Sequence, residues 1–184
     1  MKMNGEKLIN ASRQEVWDAL NNPEKLKQAI PGAESVEKKD DNNLIATVKT
    51  KIGPISAKFT GNIVLSEINP PISYTLTGEG TGGAAGFAKG IATVTLDEKE
   101  NSTLLKYSVD ANVGGKLAQI GQRLIDTAAN KLADEFFGKF NEILSPTNAD
   151  SEIKDDNQGI NQKMWITILI ILASLSTLIW YSLS

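Results

Sequence analysis

From Met164 to Leu183 the chain reads MWITILIILASLSTLIWYSL, twenty residues without a charge, a proline or a glycine. A helix of that length spans about 30 Å, the hydrocarbon thickness of a bilayer. Trp165 at one end, and Trp180 with Tyr181 at the other, stand where interfacial aromatics belong. A soluble helix this long carries a polar face, and this stretch has none. The expectation is one C-terminal transmembrane helix over 164–183. The opening MKMNGEKLIN lacks the apolar core of an export signal, and Lys163 flanks the apolar run on its polar side. The expected protein is therefore single-pass and held in the cell membrane, with its domain facing the cytoplasm.

Upstream, residues 145–163 read SPTNADSEIKDDNQGINQK, polar and without apolar period. Such a segment cannot bury enough surface to offset its ordering entropy, so a flexible linker is expected. This leaves residues 1–144 for a folded domain, and a hydrophobic content of 41% can supply its core. Nineteen Lys and Arg against 22 Asp and Glu, net −3, argue against nucleic acid as a partner, since phosphate binding relies on clustered cations. The chain has no Cys and no His. Disulfides, thiolate nucleophiles, Cys-based metal sites and the usual Ser–His dyads are thereby removed. Carboxylates, Lys and Tyr remain for chemistry, and the composition leans towards binding, with no catalytic residue and no bound metal expected.

Ser12-Arg13-Gln14-Glu15 is a capping-box pattern that opens a helix through Val16, Trp17, Ala19 and Leu20. Asn22-Pro23 ends it and opens a second, shorter one that stops at Pro31-Gly32. The period then changes from helical to two. Leu44 to Ile52, Ile55 to Leu65, Ile72 to Leu76, Ala92 to Leu96 and Leu105 to Ala111 alternate apolar and polar residues between short turns. Short connections between consecutive strands make the sheet antiparallel. From Lys116 to Leu144 the helical period returns through Leu117, Ile120, Leu124, Ala128, Leu132, Phe136, Phe140 and Ile143. The predicted fold is α+β: a curved antiparallel sheet wrapped around one long C-terminal helix, with an apolar interior suited to a ligand.

Three short motifs read better as structure than as chemistry. Gly78, Gly80 and Gly83 satisfy G-x-G-x-x-G, but the chain re-enters a strand pattern by Ile91 rather than opening the helix a dinucleotide site needs. Gly114-Gly115-Lys116 lacks the following Ser or Thr of a phosphate loop. Asp134, Glu135 and Glu142 fall off the apolar helix stripe, as a solvated face does.

The run Gly78-Glu79-Gly80-Thr81-Gly82-Gly83-Ala84-Ala85-Gly86-Phe87-Ala88-Lys89-Gly90 resembles the signature of the CoxG family of carbon monoxide dehydrogenase subunits. Val113 to Gly121 with Arg123 to Asp126 resembles its second signature, and Pro31-Gly32, Ile52-Gly53-Pro54 and Lys131 to Phe137 are similar too. The resemblance covers about residues 2–144. It implies the helix-grip fold of the START/Bet v 1-like superfamily, in agreement with the periodicity. It also implies a non-catalytic accessory protein that recruits a molybdenum hydroxylase or carbon monoxide dehydrogenase-type enzyme to the membrane.

The superfamily holds lipophilic small molecules between sheet and helix, so a non-covalently bound quinone or lipid is expected here. Candidate lining residues are Phe59, Tyr74, Phe87 and Tyr107 on strands, with Leu117, Ile120 and Leu124 on the helix; each is equally readable as core. Gly80, Gly82, Gly83 and Lys89 are the candidates for docking the partner enzyme. Two other readings stand beside this one. One is a polyketide cyclase or dehydratase of the same fold, working through Tyr74, Tyr107, Asp110 or Lys89. The other is a general lipid-transfer protein.

Overall fold

A computed structural model of the chain describes residues 1–145. The elements run β1 (Lys2–Ile9), α1 (Arg13–Leu20), α2 (Pro23–Ala29), β2 (Ala33–Lys38), β3 (Asn43–Ile52), β4 (Ile55–Asn69), β5 (Ser73–Thr81), β6 (Phe87–Lys99), β7 (Ser102–Gly114), α3 (Lys116–Gln119) and α4 (Gln122–Leu144). The linker expected at 145–163 (apart from Ser145) and the membrane helix expected at 164–183 lie outside the described residues. Among the described residues no helix is long and apolar enough to cross a membrane.

The seven strands form one curved antiparallel sheet in the order β1-β7-β6-β5-β4-β3-β2. From β2 to β7 each strand pairs with its neighbour in sequence. The exception is β1, which lies along β7 with Lys2 opposite Asp110 and Ile9 opposite Thr103. The two short helices fill the crossover from β1 to β2 at the far edge.

The helix starts follow the chemistry of their first residues. Ser12 Oγ accepts from the Glu15 N–H at 3.3 Å, and Glu15 Oε2 accepts from the Ser12 N–H at 2.9 Å. The hydrogen bonds from Ser12, side chain first, hold the Glu15 carboxyl below its ordinary pKa. Asn22 caps α2 by accepting from the N–H groups of Glu24 and Lys25, with Pro23 in the first turn.

The core gathers where α1 and the C-terminal half of α4 meet the sheet. Phe140 and Val16 are fully buried, with Ile9, Leu96 and Leu105 at 1% exposure. The buried Thr103 donates its hydroxyl to the Ala11 carbonyl at 2.9 Å, which satisfies it.

Two elements depart from the sequence reading. Ala33–Lys38 forms an edge strand whose single buried residue is Val36, and one apolar residue cannot display a period of two. The helix predicted over Lys116–Leu144 is broken: α3 stops at Gln119, and α4 restarts after Gly121, whose φ is +90°. An L side chain rarely adopts that backbone conformation, so the glycine sets the break.

An apolar cavity between the sheet and the last helix

Alternation along the strands sends one row of each to the concave face. β3 contributes Leu44, Ala46, Val48 and Thr50; β4 contributes Ile63 and Leu65; β5 contributes Tyr74 and Leu76. Val94 of β6 and Leu105, Tyr107 and Val109 of β7 continue the floor. α4 closes it with Ala129, Leu132, Ala133, Phe136 and Phe137, and Leu20, Leu26 and Ile30 wall the end near α1 and α2. The cavity, partly open to the surface, measures about 530 Å³. No charged side chain is among those that line it.

Aromatic contacts stiffen the walls. Tyr107 stacks on Phe137 with centroids 5.3 Å apart, and Phe136 on Phe140 at 5.5 Å. Tyr74 meets the edge of Trp17 at 5.5 Å. The Lys7 ammonium donates to Asp134 Oδ1 at 2.7 Å and ties the β1 edge to α4. That hydrogen bond raises the Lys7 pKa; an exposed pair of this kind contributes little stability.

Thr50, Tyr74 and Tyr107 are the hydroxyl-bearing residues of the apolar wall, and Tyr74 is the most buried of them. It is 5% exposed, and burial pushes its phenol well above the ordinary value of 10.0. Its hydroxyl has no hydrogen-bond partner among the described residues. Tyr74 borders the cavity.

A second chamber of about 290 Å³ shares Thr50 and Ile63 with the first. Its floor is Gly61, Gly78, Gly80 and Ala88, where the strands carry little or no side chain, and Ile52, Phe59 and Leu117 form its walls. The glycine-rich run is thus the end of β5, a short 3-10 turn (Gly83–Ala85) and the start of β6. Gly82 lies against the Phe59 ring so closely that a Cβ there would collide with it.

The structure distributes the predicted residues over several places. Tyr74 and Tyr107 line the main chamber; Phe59, Leu117 and Gly80 line the second. Ile120 and Leu124 line neither and sit against the β3–β4 hairpin tip, with Leu124 49% exposed. Phe87 lies across Gly114 outside both chambers and is 42% exposed. Gly83 has φ +59° with open space around it, and Lys89 is exposed. Leu132, Phe136 and Phe137 carry more of the cavity than the start of the helix does. Leu132 and Phe136 belong to the helical stripe legible in the sequence; what the stripe could not show is which half of the helix roofs the chamber.

A curved antiparallel sheet closed by a C-terminal helix over an apolar chamber defines a START-like domain. Solved structures agree. A conserved protein from Geobacillus kaustophilus shares 31% identity, with 79% of this chain and 95% of that one covered and a TM-score of 0.74. A START superfamily protein from Mycobacterium smegmatis superposes with a TM-score of 0.60 at 13% identity, covering 78% of this chain and 96% of that one. A Chromobacterium violaceum protein gives 0.62 at 13% identity, with 80% and 99% covered. Among curated proteins none matches. Residues 5–145 match the CoxG family of carbon monoxide dehydrogenase subunits, and the chain belongs to that family.

Proposed function

We propose that the domain is a non-catalytic accessory protein that holds a lipophile in its cavity and brings a molybdenum carbon monoxide dehydrogenase-type enzyme to the membrane. The observation that carries this reading is the chamber of about 530 Å³ walled by uncharged side chains. Its volume falls in the range of small-molecule sites, and burying apolar ligand surface there contributes about 25 cal/mol per Å². Membership in the CoxG family supports the enzyme partner, and the apolar run Met164–Leu183 supports attachment of a cytoplasm-facing domain to the bilayer.

A membrane quinone is the lipophile the reading favours. Its tail belongs in hydrocarbon, its ring carbonyls can accept from a buried donor such as Tyr74, and a soluble enzyme cannot reach it unaided. The domain would present it as the enzyme's electron acceptor, docking through the surface around Gly80, Gly82, Gly83 and Lys89. The cyclase reading keeps Tyr74 and Tyr107 in the cavity but finds no acid or base among the residues that line it. Asp110 lies on the opposite face of the sheet from its cavity-lining neighbour Val109 and pairs with Lys2 at 3.6 Å, and Lys89 likewise alternates with Ala88 of the second chamber.

The test is organic extraction and mass spectrometry of residues 1–145 purified from the native host. A stoichiometric quinone is the expected result. A mixed phospholipid population would turn the reading to general lipid transfer, and an empty, stable domain would remove the carrier role.

A further inference from the structure

The two ends of the domain differ in a way that the cavity alone does not require. At one end the β3–β4 hairpin meets the joint between α3 and α4. A Cβ placed on Gly53 at the hairpin tip would lie 3.7 Å from Ile120 Cδ1 and 4.0 Å from Leu124 Cδ1, so both side chains rest on the tip. Pro54 and Leu124 are exposed there, and Ile52, Ile55 and Ile120 are half-buried. Lys51 stands at the end of β3, Lys116 opens α3, and Arg123 lies beside Leu124 in the first turn of α4. All three are exposed, and none makes an ion pair among the described residues.

The opposite end carries both signs, with Lys38, Lys39, Lys99 and Lys139 among its acids. Asp40 and Asp41 stand in the turn between β2 and β3, Glu100 in the turn between β6 and β7, and Glu142 in the last turn of α4. A chain of net −3 thus carries three exposed cations on the segments that meet at this apolar tip, with Glu79 and Asp126 as the acids on the neighbouring strand end and helix turn. The second chamber, walled by Ile52, Phe59 and Leu117 with Asn62 and Glu79 also in its lining, shares Thr50 and Ile63 with the main chamber.

We propose that this end docks on a bilayer surface carrying anionic headgroups. Leu124, Ile120 and Pro54 enter the interfacial layer, and Lys51, Lys116 and Arg123 lie at phosphate level. The inference rests on the lipophile-carrier reading and adds the route, from lipid to cavity through the second chamber without crossing water. Apolar residues flanked by cations match the electrostatics and depth of an interface, where Lys and Arg near an anionic surface add attraction. A stable protein interface wants roughly 800 Å² on each side, which a hairpin tip and one helix turn do not offer. Chain length permits the arrangement. α4 is about 35 Å long and ends at the opposite end, and the residues from Ser145 to Met164 can span at most about 65–70 Å.

The chain has no cysteine, so one introduced thiol can be labelled without background. The full chain carrying Leu124→Cys, and separately Asp41→Cys, is labelled with a polarity-sensitive fluorophore. Each is reconstituted into nanodiscs of phosphatidylcholine, with or without phosphatidylglycerol. The expected result is a blue shift and several-fold stronger quenching by a lipid-borne quencher at position 124 on the anionic discs. Added salt, or Lys51→Glu with Arg123→Glu, abolishes it, and position 41 stays in water. Circular dichroism confirms the fold of each variant. A position-124 label that stays in water on both discs overturns the inference and leaves the surface to a protein partner; insertion of the position-41 label instead also overturns it. Mass spectrometry of the extracted domain reports separately on the cavity, so loss of docking with a bound lipophile sinks this inference alone.

Discussion

Tyr74 combines a ring the core needs with a hydroxyl it does not use. The ring packs on Trp17 at 5.5 Å, and the hydroxyl of this cavity-lining residue has no hydrogen-bond partner among the described residues. A buried polar group left unpaired costs about 1–3 kcal/mol, less where it touches open space. Tyr74→Phe keeps the ring and is expected to leave the ligand-free domain equally or more stable. Binding of a lipophile with a carbonyl should weaken about three- to tenfold, the value of one hydrogen bond, while a pure hydrocarbon binds unchanged. Parallel titrations with the two ligand types check this, and equal losses for both would refute the donor role. The pH dependence has a definite sign. Burial raises the Tyr74 pKa above 10.0, so the stability tied to its neutral phenol is whole below that value and falls as pH rises past it. The advantage of Tyr74→Phe should therefore widen in urea melts above about pH 10. In the sequence, Tyr74 and Tyr107 could be placed on strand faces by alternation. The donor's lack of a partner could not be read there, because it depends on what Trp17 and α4 bring from elsewhere in the chain.

Among the elements, the strands with several buried residues and the capped helices were legible before the structure, because each carried its own period or capping pattern. The misread elements have local causes. β2 has one buried apolar residue, and the α3–α4 break leaves the apolar spacing of a continuous helix intact across Gly121. Backbone conformation, not side-chain pattern, makes that break. Gly121 sits at φ +90° with nothing within 4 Å of a Cβ, so Gly121→Ala meets backbone strain without a clash and should destabilise by about 1–3 kcal/mol. Gly138 makes the control. It lies inside α4, exposed, with open space where a Cβ would go, and Gly138→Ala should stabilise by about 0.5–1 kcal/mol. Opposite shifts of the two urea midpoints, with unchanged slopes, are the expected outcome. Stabilisation by Gly121→Ala would mean that the chain accepts one continuous helix there.

At the scale of the whole molecule the sheet and α4 hold apart a space that a better-filled core would close. Interiors pack to near-crystalline density, so a void of about 530 Å³ sacrifices contacts that an occupant would restore. Occupancy should therefore show as stability. A lipophile at a hundred times its Kd adds about 2.7 kcal/mol, which for a domain of this size moves Tm by about 5–10 °C. Ala133 on α4 borders the chamber with a methyl group, and Ala133→Phe places a ring in the space without touching the ion pairs or the fully buried core. The variant should lose lipophile binding while its ligand-free Tm stays level or rises, because the ring replaces missing contacts. Its Tm should no longer respond to added lipophile. Thermal scans of wild type and variant, each delipidated and then reloaded, make the comparison. A variant that still gains several degrees on loading would place the ligand outside the chamber roofed by α4.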